Sequence, residues 1–349
     1  MMSHLSRRNF VKRASVGLAG VGLMPQGIGQ EQVHAPQTGR HPRHVNIATL
    51  TMGGISRETI EQVVAAALKR MEIALPMSPD IYCLPEVFHA AAVKGGRPPL
   101  PVSAEDGSGN IIAPFQAFAK ANNCYIVCPI YTTADGKYYN AAVLIDRRGE
   151  YLGEYRKVRL TEGELRKGLT PGPSDIPVFD TDFGRIGVQI CFDIEWPDGW
   201  NQLGEKGAEI VFFPSAFSGG KRIRAKALDN KYYVVSSIRD TCSRICDVTG
   251  ELAVSGGHPS NEWGVFASVN LERAVLHTHG AGTVAVKFPE IRKKYGTKIA
   301  LHTMGEEHYT ILESLTPEVK VADILREFEM RTHADHLRIA EELAASLGF

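Results

Sequence analysis

Short apolar runs alternate with amphipathic segments from residue 44 to about residue 272. Residues 44–52 (HVNIATLTM) and 80–86 (DIYCLPE) have the composition of buried strands. Between them, residues 56–75 place apolar side chains at helical spacing, and residues 111–123 also have a helical pattern. Because strands and helices take turns along the chain, the pattern predicts an α/β layered domain.

Paired strands interrupt this alternation. Residues 137–160 read as two strands that turn at Arg148-Gly149, and residues 175–191 turn at Phe183-Gly184. Hairpins of this kind predict mixed sheets. The pattern resumes with a helix from about Pro197, and further elements are predicted over residues 124–131 (strand), 208–216 (strand), 221–230 (helix) and 231–256 (two or three strands).

Residues 276–349 are predicted to form a C-terminal helical extension. In residues 321–347, a set of apolar side chains lies near one helical face: Ile324, Leu325, Phe328, Leu337, Ala340, Leu343 and Leu347. Such a face is typical of a partner surface, for example at a dimer interface, or of an arm packed on its parent domain. The sequence leaves both interpretations open.

The N-terminus has a different character. Residues 6–25 contain Arg7-Arg8, Phe10 and Lys12, followed by a short apolar stretch. The arginine pair resembles the twin-arginine export signal, so residues 1–30 are predicted to be a signal peptide and residues 31–43 a linker. The resemblance implies a periplasmic or extracytoplasmic location and leaves the cleavage point open.

Charge and hydropathy exclude some classes of partner. The 349 residues include 39 Lys+Arg and 39 Asp+Glu, so the formal net charge is zero. Nothing in this balance indicates binding to nucleic acid or to an anionic membrane surface. The sequence also lacks the long apolar run that a membrane span requires.

Cys191, in GVQICFDIEWPD (residues 187–198), is the first candidate for chemistry. It ends an apolar strand and precedes a helix that Pro197 can start. Reactive groups are often presented at the carboxyl ends of strands in α/β sheets. A nearby helix N-terminus, if aimed at the sulfur, would lower the pKa of the thiol. A buried structural thiol is the competing interpretation.

The other five cysteines are expected to be core thiols. Cys124 and Cys128 are four residues apart, as are Cys242 and Cys246, so on a strand each pair spans roughly 13 Å. That distance excludes a disulfide within a pair, and the spacing is not typical of a zinc site. Cys83 completes the set, and a cross-strand disulfide stays open.

A thiol nucleophile requires a base and donors for an oxyanion. The 12 histidines give no candidate at a strand end. Glu86 follows the strand IYCLP, and Lys157 ends YLGEYRK after a strand-turn-strand. Taken singly, each residue is also compatible with a solvated surface role.

Glu86, Lys157 and Cys191 occur in an order and context that resemble the nitrilase superfamily of carbon–nitrogen hydrolases. The matching stretches are CLPEVF, YNAAVLIDRRGEYLGEYRKVRL and GRIGVQICFDIEWPD, with similar flanking segments from residue 44 to residue 272. The resemblance implies a hydrolase domain over residues 44–275 with a four-layer αββα sandwich. It also implies a homodimer or a higher homo-oligomer.

The same resemblance implies roles for individual residues. Cys191 would be the nucleophile, Glu86 the general base and acid, and Lys157 an oxyanion donor beside the backbone N–H of Phe192. A further glutamate is expected soon after the lysine, for which Glu164 is the candidate and Glu162 the reserve. Arg159 stands where the family often has histidine, a departure that concerns the substrate pocket and leaves the three catalytic candidates unchanged. Asp193 is interpreted as structural.

The predicted function is hydrolysis of an amide or N-carbamoyl compound through a thioester, without a metal or organic cofactor. The substrate is expected to be a small molecule. Action on a nitrile is one alternative, and a non-catalytic binding or scaffold protein of the same fold is another.

Overall fold

The described part of the chain begins just before the first predicted strand. The computed structural model describes residues 43–106, 109–240, 242–256, 263–278 and 284–348. The predicted signal peptide at 1–30 and all but the last residue of the predicted linker lie outside these ranges.

Strands and helices alternate through most of the described chain. The strands are β1 (His44–Leu50), β2 (Ile81–Cys83), β3 (Ala104–Glu105), β4 (Tyr125–Ala134), β5 (Lys137–Ile145), β6 (Tyr151–Arg156), β7 (Phe179–Asp180), β8 (Arg185–Val188), β9 (Ile210–Ser215), β10 (Tyr233–Ile238), β11 (Ser243–Cys246), β12 (Leu252–Gly256), β13 (Gly264–Asn270), β14 (Arg273–His277), β15 (Ile299–Met304) and β16 (Tyr309–Ser314).

The helices are mostly short. They are α1 (Ile60–Met71), α2 (Phe88–Ala91), α3 (Leu100–Ser103), α4 (Ala113–Asn122), α5 (Glu162–Arg166), α6 (Asp198–Glu205), α7 (Lys221–Asn230), α8 (Phe288–Tyr295), α9 (Val321–Glu327) and α10 (His333–Ser346). Additional 3₁₀ turns span Glu72–Met77, Cys191–Glu195, Val284–Lys287 and Gly296–Lys298.

Two mixed sheets form the centre of the fold. The first has the order β13-β1-β2-β4-β5-β6, with β3 beside β4, and the second has the order β12-β11-β10-β9-β8-β7. In the first sheet β2 and β4 are parallel, whereas β5 is antiparallel to both β4 and β6. Consequently β2, β4 and β6 run in one direction. The architecture confirms the predicted α/β fold with mixed sheets.

Alternating side chains on the first sheet build two cores. On β1, Val45 and Ile47 face the second sheet and pack in one core, whereas Ala48 and Leu50 pack in another core beneath α1 and α4. Successive residues of a strand point to opposite faces, so a strand covered on both sides is apolar at almost every position. Helices α6 and α7 cover the second sheet and complete the helix–sheet–sheet–helix layering.

Helix α1 is shorter than the segment of residues 56–75 for which a helix is predicted. It begins at Ile60 because the Thr59 side chain accepts a hydrogen bond from the backbone N–H of Gln62 (3.3 Å) and caps the first turn. Its end at Met71 leads into a 3₁₀ turn that contains Pro76. The predicted apolar face is nevertheless the buried one.

The C-terminal extension contains a sheet as well as the predicted helices. Strands β14, β16 and β15 form a three-stranded antiparallel sheet, which shares its own apolar core with α8 and α9. The sequence prediction for residues 276–349 missed this sheet. Among the described residues, no helix combines the length and apolarity needed to cross a membrane.

The single apolar face predicted over residues 321–347 is divided between two helices. The chain leaves α9 through Glu329, whose φ is 47°, and Thr332 starts α10 with a capping box. Ile324 on α9 is fully buried, whereas Leu337 and Leu343 on α10 are 49% and 59% exposed. Only the first half of the face therefore packs on its own chain.

Helix α10 approaches the sheet through a cluster of imidazole rings. The ring centroid of His277 on β14 lies 4.7 Å from that of His336 and 5.8 Å from that of His333. The Lys231 ammonium lies 3.9 Å from the ring centroid of Tyr309, which contacts His333. Burial, together with Lys231, His277 and His336, lowers the pKa of His333 to about 4.

Docking of α10 is expected to weaken in mild acid. His333 is neutral in the fold, but once released it takes up a proton below a pH of about 6.5. The contribution of His333 is therefore complete above that pH and is lost as the pH falls toward its folded pKa of about 4. Amide hydrogen exchange, corrected for intrinsic rates, should accelerate in α10 relative to α7 over this window.

The variant His333→Gln provides the control, because glutamine has no charge to gain. It should remove most of the pH dependence of exchange in α10. Equal acceleration in α7 and α10, or an unchanged pH dependence in the variant, would contradict this account of α10.

Candidate active site

The predicted residues meet where strands of the two sheets end. Glu86 follows β2, and Lys157 comes directly after β6 in the same sheet. Cys191 follows β8 of the second sheet. Since β2 and β6 run in the same direction, their carboxyl ends lie at one edge of the first sheet. The packing of the two sheets brings Cys191 to that edge.

Glu86 is 5% exposed and accepts three hydrogen bonds. Its Oε1 accepts from Lys157 Nζ (2.8 Å) and from Asn140 Nδ2 (2.9 Å), and its Oε2 accepts from the backbone N–H of Ala216 (3.1 Å). The next residue, Val87, has a φ of 42°, which is strained for a β-branched side chain. The turn after β2 thus directs the carboxylate inward at some conformational cost.

The Lys157 side chain is 1% exposed and lies between two carboxylates. Its Nζ is 2.8 Å from Glu86 Oε1 and 2.9 Å from each carboxylate oxygen of Glu164. Burial alone would lower the pKa of Lys157, but Glu86, Cys191 and Glu164 outweigh burial and raise it. The amine therefore stays an ammonium, and its three hydrogens are matched by three acceptor contacts.

Glu164 has the denser set of donors. Its carboxylate accepts from Lys157, from Asn140 Nδ2 (2.8 Å), and from the backbone N–H and hydroxyl of Thr161 (2.9 and 3.0 Å). The Thr161 contacts belong to the capping box of α5, so one carboxylate serves both the helix and the ammonium. Burial raises its pKa, but the Lys157 charge and these hydrogen bonds prevail and lower it.

The structure distinguishes Glu164 from the reserve candidate Glu162. Glu162 occupies the exposed side of the same short helix and pairs with Arg166. Its side chain is 77% exposed. Of the two glutamates, only Glu164 joins the buried cluster.

Cys191 begins the 3₁₀ turn Cys191–Glu195 with a φ of 48°, in the left-handed region that non-glycine residues rarely occupy. Burial and the Glu86 carboxylate raise the pKa of its thiol to about 11, against Lys157, Ser215 and the backbone of Ala216, which lower it. Burial and Glu86 therefore outweigh the groups that lower the pKa, and a lowering by a helix N-terminus aimed at the sulfur stays a prediction. The thiol is therefore protonated at neutral pH and lies within electrostatic range of the Glu86 carboxylate.

Phe192 follows Cys191 in the first turn of the 3₁₀ segment. Backbone N–H groups in a first helical turn have no partner within the helix and are available to other acceptors. The position therefore suits the predicted backbone donor beside the thiol. Its ring packs edge-on against Trp196, with ring centroids 5.1 Å apart, and this contact braces the turn.

Asp193 links the cysteine turn to the lysine strand. Its carboxylate accepts from the backbone N–H of Ile190 (2.9 Å), from that of Arg159 (2.8 Å) and from the Tyr155 hydroxyl (2.7 Å). Burial raises its pKa to about 6 against these bonds. Arg159 uses its side chain on Asp198 at the surface. The geometry of Asp193 agrees with its interpretation as structural.

The other five cysteines lack the charged surroundings of Cys191. All six cysteines lie within the described ranges, and all are free thiols. Cys83, Cys124, Cys128 and Cys246 are buried, and burial raises the pKa of each. Cys242 is half-buried. In the part of the chain that the structure describes, His, Cys, Asp and Glu side chains form no group suited to a metal ion.

Sequence reasoning missed Asn140, Ser215 and Ala216. Asn140 bridges the two carboxylates, and the other two residues act on Cys191 or Glu86. The one signal for Asn140 is an amide directly before an apolar run, AAVLI, within a predicted strand. Ala216 acts through its backbone, which no residue type reveals.

Comparison with known proteins identifies the family to which the chain belongs. A family model described as carbon-nitrogen hydrolase matches residues 46–275. The deaminated glutathione amidase of Dictyostelium discoideum is 30% identical over 191 residues, which are 48% of this chain and 65% of that protein. The N-carbamoylputrescine amidase of Arabidopsis thaliana is 33% identical over 123 residues, which are 34% of this chain and 40% of that protein. The chain thus spans less than two thirds of the length of these relatives.

Solved structures show the same fold. An amidase from Nesterenkonia sp. superposes with a TM-score of 0.57 at 20% identity, covering 67% of this chain and 92% of that one. Saccharomyces cerevisiae Nit3, a member of the nitrilase superfamily, gives a TM-score of 0.56 at 19% identity, covering 73% and 95%. With its family match extending over more than half of its length, the chain belongs to the carbon-nitrogen hydrolase family.

Proposed function

We propose that the protein hydrolyses the carbon–nitrogen bond of a small amide or N-carbamoyl compound through a thioester on Cys191. The observation that carries the proposal is the buried Glu86–Lys157–Glu164 cluster, whose charges act on the Cys191 thiol. A solitary core thiol would not require a buried ammonium beside it.

Glu86 is suited to remove the thiol proton. Its Oε2 accepts a single backbone hydrogen bond and keeps a lone pair for a proton. As the proton moves to Glu86, the sulfur attacks the substrate carbonyl carbon and the carbonyl oxygen becomes an oxyanion. The N–H of Phe192 and the Lys157 ammonium stabilise that charge.

Proton transfer also frees Lys157 for the oxyanion. At rest the three hydrogens of Nζ are occupied by Glu86 and Glu164. A protonated Glu86 attracts the ammonium less, so one N–H can turn to the new negative charge. The cluster therefore keeps a net charge of −1 throughout, because the charge lost by Glu86 reappears on the substrate oxygen.

Collapse of the tetrahedral intermediate breaks the carbon–nitrogen bond. Glu86 returns its proton to the leaving nitrogen, and ammonia or an amine departs. Glu86 then removes a proton from water, the resulting hydroxide attacks the thioester, and the acid product leaves as the thiol is restored. Each half of the cycle uses the same base and the same oxyanion donors.

An amide or carbamoyl substrate is favoured over a nitrile by the names of similar proteins. The matched relatives include amidases described as acting on deaminated glutathione and on N-carbamoylputrescine. Product analysis separates the classes, since formation of acid from nitriles alone would indicate a nitrilase.

Replacing Cys191 with alanine should abolish turnover. With the nucleophile removed, ammonia release from a panel of primary amides, N-carbamoyl amines and nitriles should fall by at least about 10⁴-fold. Cys242→Ser is the matched control, because Cys242 is a half-buried thiol outside the cluster. That variant should keep the rate of the unmodified protein.

Covalent labelling measures the reactivity of Cys191 independently of turnover. In the Cys242→Ser protein, iodoacetamide should add one carbamoylmethyl group to Cys191 as iodide leaves and the thiol proton is lost, and peptide mass spectrometry detects the adduct. The Cys191→Ala protein should show no such adduct at the site. Full turnover without Cys191 would refute the proposed function and favour the scaffold alternative.

Glu164→Gln removes one negative charge from the cluster but keeps the size and shape of the side chain, so its effect on the rate reports the contribution of the charge. Glutamine also fits the third position of a capping box, so α5 keeps its start, while Lys157 loses one of two counterions. We expect kcat to fall by about 10²–10³-fold. The alkaline limb of the pH–rate profile should move to lower pH, because Glu164 helps to raise the pKa of Lys157.

Glu162→Gln is the control for this prediction. It removes the same charge two residues away, on the exposed side of α5. Its rate should stay within about twofold of the parent, as is usual for surface changes. Equal effects of the two substitutions would contradict a specific role for Glu164.

A further inference from the structure

Asn140 occupies the centre of the buried cluster. It lies near the start of β5, where its backbone carbonyl accepts a hydrogen bond from the N–H of Lys157 (2.8 Å). Across the other edge of the strand it pairs with Tyr131 on β4. Strand β5 therefore lies between β4 and β6. Strand β6 leads to Lys157, and β2, on the other side of β4, leads to Glu86.

Both N–H groups of the Asn140 amide are used on carboxylates. Nδ2 lies 2.9 Å from Glu86 Oε1 and 2.8 Å from Glu164 Oε1. Because a carboxylate can only accept, the nitrogen of the amide must face this pair. The side chain is almost fully buried, and within the part of the chain described here its Oδ1 has no hydrogen-bond partner. The Asn140 amide thus leaves its oxygen without a partner among the described residues while its nitrogen donates to two carboxylates. This indicates that the two donated hydrogen bonds are its function at this position.

We propose that Asn140 is a positioning residue, a neutral bridge that holds Glu86 and Glu164 together on Lys157 and thereby keeps the base ready to accept the thiol proton. The proposal rests on the function proposed above, in which Glu86 acts on Cys191. It assigns Asn140 no contact with the substrate.

The neutrality of the bridge matters because of the charges around it. Two carboxylates share one ammonium, so their mutual repulsion is only partly offset. A cationic bridge would neutralise the cluster and weaken the base, whereas an acidic bridge would add repulsion. An asparagine amide supplies two donors without either effect.

The bridge also divides the two oxygens of Glu86. Oε1 is occupied by Asn140 and Lys157, whereas Oε2 accepts only from the backbone of Ala216. The oxygen with spare capacity is consequently the one that can take a proton. Without Asn140, the carboxylate could rotate and exchange its oxygens.

Substitution at Asn140 tests this role. Asn140→Leu keeps the approximate shape and removes both donors, and Asn140→Asp keeps the shape and adds a third carboxylate. The groups that face this position are Glu86, Glu164, Lys157, Tyr131 and, through Lys157, Cys191 and Asp193. The most rapidly hydrolysed amide of the panel serves as substrate over a range of pH.

For Asn140→Leu we expect kcat to fall by about 10²-fold with KM within about threefold, because binding is untouched and the base is misplaced. The acidic limb of the pH profile of kcat/KM should move to higher pH by about one unit, because carboxylates that lose hydrogen-bond donors hold protons more firmly. Asn140→Asp should shift this limb further in the same direction. A purely structural defect would lower the amount of active enzyme without moving the limb.

Thr132→Val is the matched control. Thr132 lies one residue beyond Tyr131 on β4, is also buried, and its hydroxyl has no hydrogen-bond partner within the described ranges. Its replacement should leave both kcat and the pH profile unchanged. Circular dichroism checks the fold of each variant, and if Asn140→Leu does not fold, the acidic limb of the isosteric Asn140→Asp decides.

An unshifted acidic limb in a folded Asn140 variant would overturn the proposal, as would a limb that Thr132→Val moves equally. The result is separable from the fate of the proposed function. Loss of turnover in Cys191→Ala with an unshifted limb in the Asn140 variants would reject the bridge alone. Full turnover in Cys191→Ala would reject the chemistry on which the bridge depends.

Discussion

The site depends on the ion pairs that the buried Lys157 ammonium forms with Glu86 and Glu164. A buried cation is costly to remove from water, and it is tolerated here because two carboxylates and their hydrogen bonds surround it. Each partner comes from a different turn: Glu86 after β2, Glu164 from the first turn of α5. The ammonium therefore ties separate segments together, and the fold must bring the ends of β2 and β6 to one edge for the charge to be buried at all.

The two carboxylates around this ammonium are not equivalent, although they share donors. Glu164 is saturated by Lys157, Asn140 and both donors of Thr161, so its charge is fixed. Glu86 has an oxygen bonded only to the backbone of Ala216. In the proposed mechanism, Glu164 is thereby a permanent counterion and Glu86 the proton acceptor. The difference arises from the number of donors each acid receives.

Strand ends could be read from the sequence because apolar runs and turns mark them locally. The pattern of apolar runs predicted the mixed α/β fold and put Glu86, Lys157 and Cys191 at strand ends. The family resemblance predicted that these three residues meet, as they do in the structure. The role of Asn140 was not predictable, since it depends on the pairing of β5 with β6. The raised pKa of Cys191 also required knowledge of its burial. The small C-terminal sheet was missed because its strands are only partly apolar.

A thiol with a pKa of about 11 has a consequence for chemical durability. Peroxides attack the thiolate and convert it first to a sulfenic acid and then to higher oxides that are not readily reversed. Cys191 is protonated whenever the site is at rest, so it offers little thiolate to such oxidants. In the proposed mechanism, its reactivity arises only while the neighbouring Glu86 carboxylate takes the proton. If the proposed function holds, the arrangement shields the sulfur from oxidative damage between turnovers.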